Sequence, residues 1–380
     1  MQLLPMLSGG VALFDGGFGS QVTAKGLSCD CPERLNLTDA AAVRAIHRSY
    51  VEAGATVIET NTLGANPLRL AAHGLSDQAA KITEAAVGHA RAAGAVTIAC
   101  SMGSTAQFLA PFGLLDPERA YQGFLVQAQA ARAAGADFLF TETLTDIAEA
   151  RMMWLAAEAA CIPFAASFTF QDNGRTLTGS PPVLCAQVAE AMGAKMVGVN
   201  CVGDAALLLR VIAEMQGATR CPIVAQPNAG LPEQIDGKAV YTVTPDMLLP
   251  AMAQALDAGA SAIGGCCGTT PAHIRAMADL VKGRALPAPG GDGIARVCSL
   301  WQSLPLDEAL ENAETMTPDE LDDSDAPAVV LDLRGIAPEA ACEAIDEALL
   351  MLRQPLLFRA NDEETLRAAL RRYPGVSASI

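Results

Sequence analysis

Eight short apolar runs recur through the first 270 residues, and this repetition restricts the fold more than any other feature of the chain. The runs are Val11–Asp15, Thr56–Thr60, Val96–Ser101, Asp137–Glu142, Pro163–Phe170, Lys195–Asn200, Pro222–Pro227 and Ser261–Gly265. Each is short, mostly apolar and rich in β-formers, as strands buried on both faces must be. Between them lie alanine-rich stretches with helical spacing, such as Asp39–Gly54, Pro117–Gly135 and Asp146–Ala160. Several of these close on a glycine just before the next run (Gly54, Gly135, Gly193, Gly259), the pattern of a helix C-terminus feeding a strand. Eight strand–helix units within about 280 residues predict an α/β fold of the (β/α)₈ TIM-barrel type. A doubly wound open sheet is the alternative, but Asp15-Gly-Gly-Phe-Gly19 lacks the G-x-G-x-x-G spacing of its phosphate loop.

Beyond Gly283 the texture changes. The reading divides the chain into a barrel over residues 1–283, a Pro/Gly-rich and acidic linker over 284–325, and a small C-terminal α/β appendage over 326–380. From Leu300 to Asp325 there are nine acidic and no basic residues, so much of this stretch is expected to be solvated and mobile, with a short helix near Leu306. In the appendage, Ala328–Leu333 and Pro355–Arg359 read as strands, Pro338–Leu352 and Asp362–Arg372 as helices, and Gly375–Ile380 as a further strand. So few strands must pack on something else.

The net charge of −17 makes nucleic acid and anionic membrane surfaces poor partners. No apolar run approaches the roughly 20 residues that span a bilayer. MQLLPMLSGG carries no positive charge ahead of its apolar residues, so no signal peptide is expected. Eleven cysteines in a chain of 380 residues then indicate a reduced, cytoplasmic protein and not a disulfide scaffold. Cys100, Cys161, Cys185 and Cys221 read as small core residues.

Barrel enzymes work at the C-terminal ends of their strands. Those positions hold Asp15, Glu59, Asn61, Ser101, Glu142, Asn200, Cys201, Asn228, Cys266 and Cys267. A carboxylate that ends an apolar strand is costly unless it meets a cation, although Asp15 or Glu142 could instead cap a helix or hold a loop backbone. The adjacent Cys266-Cys267 pair admits three readings: small residues in a glycine-flanked turn, a vicinal disulfide, or metal ligation together with Cys201. Closure into a barrel would bring the three sulfurs to one face. Three thiolates suit zinc, a soft-ligand ion without redox chemistry, and leave a fourth position open. Sulfur-rich zinc is a weak Lewis acid, poorly suited to hydrolysis. It is well suited to ionising a substrate thiol, whose free pKa is about 8.5, for alkyl transfer.

The chain also resembles the homocysteine S-methyltransferase family, most closely the homocysteine-binding module of cobalamin-dependent methionine synthase. The resemblance rests on Asp15-Gly-Gly-Phe-Gly-Ser20, Glu59-Thr-Asn-Thr-Leu-Gly-Ala65, Phe140-Thr-Glu142-Thr, Leu177-Thr-Gly-Ser180, Gly198-Val-Asn-Cys201, Pro227-Asn-Ala-Gly230 and Gly264-Gly-Cys266-Cys267-Gly-Thr-Thr-Pro271. It implies a zinc ion on Cys201, Cys266 and Cys267 and homocysteine as methyl acceptor. It further implies that Asp15 and Glu142 face the substrate ammonium, that amides near Gly16 and Gly17 with the Ser101–Thr105 loop take its carboxylate, and that Asn228 fills or borders the open zinc position. Asn200 joins this substrate set beside Cys201. In the loop after the third strand, relatives of the methionine-synthase type tend to carry an acidic residue and Gly-Pro, where this chain has Ser101-Met-Gly-Ser104-Thr105.

The appendage resembles an early stretch of a pterin-binding barrel but is too short for a complete one, so it is read as a relic kept for packing or docking, or as the product of truncation. It is expected to dock on the barrel or a partner and not to bind folate alone. No D-x-H-x-x-G corrinoid motif is present. The implied methyl donor is therefore methylcobalamin carried by a partner corrinoid protein, with S-methylmethionine, S-adenosylmethionine or betaine as alternatives. A non-catalytic zinc–thiol subunit of a methyltransfer complex is the competing reading.

Overall fold

The computed structural model describes residues 4–27, 30–235 and 238–380, so the first three residues of the amino-terminal stretch read above lie outside it. Eight of its strands form one parallel sheet: β1 (Ala12–Leu13), β2 (Val57–Glu59), β3 (Thr97–Met102), β4 (Phe138–Leu144), β5 (Phe164–Phe168), β6 (Val197–Asn200), β7 (Ile223–Gln226) and, after a hairpin of β8 (Glu233–Ile235) and β9 (Lys238–Val240), β10 (Ala260–Ile263). The order β1-β10-β7-β6-β5-β4-β3-β2 leaves β1 and β2 at its two ends. A parallel bridge from Phe14 to Val57 joins them, with Thr56 N–H donating to Leu13 O at 2.7 Å and Asp15 N–H to Val57 O at 3.1 Å. The ring is thus closed, a (β/α)₈ barrel.

The helices between strands follow the local signals. Ala40–Ala53 starts where the Asp39 side chain accepts from Ala42 N–H and stops at Gly54, whose φ of 105° turns the chain into β2. Pro117–Ala134 is capped by Asp116 and stops at Gly135 in the same way. Inside the barrel, Phe14, Phe138 and Phe140 pack edge-on or tilted against one another among Val57, Ala99 and Ala165. With a side-chain period of two, the next inward positions toward the C-terminal end are Glu59, Ser101, Glu142 and Ser167. The apolar plug therefore ends in a polar floor, and the loops above it complete a site.

Residues 284–325, read above as a linker, carry β11 (Arg296–Cys298) paired with β12 (Ser303–Pro305), a helix over Leu306–Asn312, and β13 (Glu314–Met316). β13 is the edge of a parallel sheet with β14 (Val329–Asp332) and β15 (Leu356–Arg359), covered by the helices Pro338–Met351 and Glu363–Arg372. Only Met316 of β13 is buried, which is why its sequence reads as a solvated acidic stretch. This small unit lies against the barrel. Arg371 forks onto the Glu118 carboxylate at 2.8–3.1 Å and stacks 3.9 Å over the Tyr121 ring. Arg151 Nη2 donates to Leu370 O at 2.7 Å, and Trp301 meets Phe112 edge-on. Cys100, Cys185 and Cys221 are buried as the sequence suggests. Cys161 is not: it is exposed in the turn after the helix Ile147–Ala159, with φ at 52°.

Tyr373 ties the appendage together. Its ring packs edge-on to Phe358, and its buried hydroxyl accepts from Leu356 N–H at 3.2 Å and donates to Cys298 O at 3.0 Å. Tyr373→Phe leaves both backbone groups without this partner and is expected to cost about 1–3 kcal/mol. Urea unfolding followed by Trp301 fluorescence measures it; a change below about 0.5 kcal/mol would show that these bonds add nothing to stability.

Candidate metal and substrate site

The Sγ atoms of Cys201, Cys266 and Cys267 all lie within 4.8 Å of one another at the barrel mouth. Backbone hydrogen bonds at the strand ends put them there. Cys201 N–H donates to Gln226 O at 3.2 Å, and Cys266 N–H donates to Pro227 O at 2.8 Å. Cys267 N–H donates to Asn228 Oδ1 at 3.1 Å. Cys201 is held at φ 59°, a left-handed conformation that costs a non-glycine residue of order 1–3 kcal/mol and persists where the surroundings impose it. Gly17 lets the first loop approach the pair, since a Cβ there would stand 2.6 Å from Cys266 O. The ten described cysteines are free thiols, Cys266 and Cys267 among them.

The donor set fits a soft divalent cation. Tetrahedral zinc with sulfur ligands at about 2.3 Å needs sulfurs about 3.8 Å apart, which the 4.8 Å limit on the trio allows. The thiols also share protons in a way that prepares them for a cation. Hydrogen bonds from Cys201 and Cys266, and then Tyr241, pull the Cys267 thiol down to about 3. Against the opposing pull of Cys266, the Cys267 thiol and burial push Cys201 up to about 12, and Cys201 and Cys267 together hold the Cys266 thiol well above the usual thiol range.

Below the sulfurs lies a carboxyl cluster. Asp15 is 2% exposed and Glu142 8% exposed, so neither is a solvated loop charge. Asp15 receives the Glu59 backbone N–H on both oxygens at 3.2 Å, the backbone-holding role considered for it above. Glu142 accepts from the Ser101 hydroxyl and, at 3.3 Å, from Asn200 Nδ2. Asn200 Nδ2 also reaches Thr143 Oγ1 at 2.8 Å and Cys266 Sγ at 3.9 Å, while its Oδ1 accepts from Ser167 Oγ at 2.9 Å. One amide thus couples the acidic floor to the sulfurs. Glu59, noted in the sequence as a strand-end acid but given no role, lies against Glu142 and receives Gln226 Nε2 at 2.6 Å. The strand-end rule that picked out Asp15 and Glu142 applies to Glu59 equally. Gln226 had no such signal, because an amide inside an apolar run reads as a register accident.

Burial, then the charges of the neighbouring acids, holds Asp15 and Glu59 well above the usual carboxylate range. Burial raises Glu142 to about 7, against the opposing pull of the Ser101 hydroxyl. Such a cluster favours a bound cation, because one positive charge relieves several penalties together.

The rest of the sequence-derived set is spread over the mouth. Gly17 N–H donates to Thr269 Oγ1 at 3.1 Å, while Gly16 N–H makes no hydrogen bond among the described residues. Ser104 Oγ accepts from Ala106 N–H at 2.9 Å. Both the N–H and the hydroxyl of Thr105 go to the buried Glu149 carboxylate, at 2.5 and 2.7 Å, so Thr105 is engaged within the fold. Asn228 borders the sulfurs, its Oδ1 taken by Cys267 N–H and its side chain beside Cys201.

Comparison with known proteins bears on this arrangement. The family model described as homocysteine S-methyltransferase matches residues 12–281, the whole barrel. A methionine synthase of Mycobacterium tuberculosis is 31% identical over 329 residues, covering 80% of this chain and 27% of that protein. A methionine synthase of Mycobacterium leprae is 31% identical over 301 residues, covering 73% of this chain and 25% of that protein. The chain therefore spans about a quarter of the length of these curated relatives. Among solved structures, the metallated form of the homocysteine methyltransferase MmuM from Escherichia coli aligns with a TM-score of 0.60 at 26% identity, over 71% of this chain and 96% of that one. Its oxidized form aligns with a TM-score of 0.61 at 24% identity, over 70% and 94%, a likeness of fold.

Proposed function

The chain belongs to the homocysteine S-methyltransferase family, and from that membership we propose that it binds zinc through Cys201, Cys266 and Cys267 and transfers a methyl group to the sulfur of homocysteine, giving methionine. The observation that carries the proposal is the meeting of three thiols from two strand ends directly above a buried carboxyl cluster. An amino acid with a side-chain thiol matches both halves: a sulfur for the metal and an ammonium for the acids.

Zinc, when bound, supplies the means to ionise an incoming thiol near neutral pH. The remaining work falls to the chain. Asp15 and Glu142 hold the ammonium, each charge-assisted hydrogen bond contributing about 1.5–3 kcal/mol. Ser101 and Asn200 fix the Glu142 carboxylate, and Asn200 links that anchor to the Cys266 side of the sulfur trio, so the two ends of the substrate are positioned together. Gly16 N–H is available for the substrate carboxylate. The apolar plug of Phe14, Phe138 and Phe140 seals the barrel beneath and keeps water from the acids.

For the donor, the favoured reading is a methylcorrinoid carried by a partner protein. Its support is the match to methionine synthases, which extends beyond the residues of the family model. The appendage over 326–380 is then a docking or packing element outside the chemistry, since every proposed ligand lies within the barrel. The deciding experiment measures zinc content and homocysteine titration, then methionine formation from methylcobalamin, S-methylmethionine, S-adenosylmethionine and betaine. Methionine from methylcobalamin is the expected result. Product from a small donor alone would replace the donor assignment. Zinc and homocysteine binding without product from any donor or corrinoid partner would favour a non-catalytic binding subunit.

A further inference from the structure

Each of the three sulfurs meets a different side chain from outside the trio. Asn200 Nδ2 stands 3.9 Å from Cys266 Sγ. The Asn228 side chain lies beside Cys201, and the Tyr241 side chain beside Cys267. Asn200 ends a barrel strand and Asn228 follows the next one. Tyr241 comes from elsewhere, immediately after the β8–β9 hairpin.

The backbone beside Cys267 is built around that ring. Gly268 has φ at 78°, and a Cβ added there would lie 2.2 Å from Tyr241 Cγ and 2.5 Å from Tyr241 Cβ. Only glycine lets the ring lie this close to the residue after the paired cysteines. The placement is therefore specified twice, by the hairpin that delivers the tyrosine and by the glycine that receives it. A metal-bound thiolate has no proton, so in a hydrogen bond with a phenol the phenol must donate.

We propose that Tyr241 is a positioning residue of the metal centre, its hydroxyl donating to the Cys267 thiolate and completing a set in which each sulfur has its own donor. The inference rests on the zinc reading above. Three thiolates carry one negative charge more than zinc neutralises, and a further thiolate from substrate adds another. Neutral donors disperse that excess without a competing cation that would repel the substrate ammonium. Outer partners of this kind typically change metal affinity about 10–100-fold when removed. A half-buried phenol on one sulfur of three belongs at the lower end of that range.

Tyr241→Phe tests the assignment, because it keeps the ring over Gly268 and removes only the hydroxyl. Zn²⁺ affinity is measured by chelator competition on the full chain, and the sulfur-to-metal charge-transfer band is recorded after Co²⁺ substitution. The expected result is zinc binding about tenfold weaker than in the parent, with the Co²⁺ band moved to longer wavelength. The shift follows because a sulfur lone pair that loses a hydrogen bond rises in energy, and a merely structural role for the ring would not produce it. Affinity within about twofold of the parent and an unmoved band would overturn the assignment while leaving the zinc reading intact. A parent chain that takes up no Zn²⁺ would remove both.

Discussion

Cys266→Ala protein will bind zinc roughly 10²–10⁴-fold more weakly than the parent chain and will lose homocysteine binding that depends on the metal. The estimate follows from the ligand count. Structural zinc sites bind with apparent free energies of about 10–16 kcal/mol near neutral pH, so each ligand of a nearly complete set carries about 3–5 kcal/mol. Cys266 interacts with both of the other thiols and is the sulfur that Asn200 reaches. The fold should persist, since the backbone bonds from Cys266 N–H to Pro227 O and from Thr269 N–H to Cys266 O do not need the thiol. Metal analysis after dialysis, with calorimetric titration of homocysteine, reads both effects. A Cys266→Ala protein that retained stoichiometric zinc and the parent affinity for homocysteine would remove this residue from the site.

The parts of this arrangement that could be read from the sequence were those imposed by one-dimensional periodicity. Strands buried on both faces must be continuously apolar, so all eight barrel strands appear as runs, and a glycine such as Gly54 or Gly135 marks the left-handed exit of a helix. Once the barrel is recognised, the strand-end rule collects Cys201, Cys266, Cys267, Asp15 and Glu142 on one face. What it cannot deliver is anything that depends on a rotation or a long loop. The left-handed Cys201, the pairing of Glu59 with Gln226 across 167 residues and the commitment of Thr105 to Glu149 have no local pattern. The β8–β9 hairpin that precedes Tyr241 is short and shows no apolar alternation, so nothing local marks that tyrosine. The acidic stretch before the appendage failed for a different reason: an edge strand that buries one side chain in three shows no alternation.

Glu142→Gln should separate the two uses to which this carboxyl is put. In the zinc-loaded protein it is expected to weaken homocysteine binding by more than about tenfold, because a charge-assisted hydrogen bond to the ammonium is worth about 1.5–3 kcal/mol and 1.4 kcal/mol is a factor of ten. In the metal-free, substrate-free chain the same change should stabilise. Folding raises Glu142 from its ordinary 4.5 to about 7, chiefly by burial. Between those values the folded chain holds more protons than the unfolded one, so stability falls as pH rises. The penalty is absent below about pH 4.5 and fully present above about pH 7, where it amounts to about 3 kcal/mol. Asp15 and Glu59 are pushed up by the Glu142 charge as well, so neutralising it relieves them too. Urea midpoints for the two proteins should therefore coincide below about pH 4 and diverge by pH 8, with the variant the more stable. Parallel pH–stability curves would show that Glu142 is not the group that titrates. A stabilised variant with unchanged homocysteine affinity would keep the buried acid but deny it the ammonium.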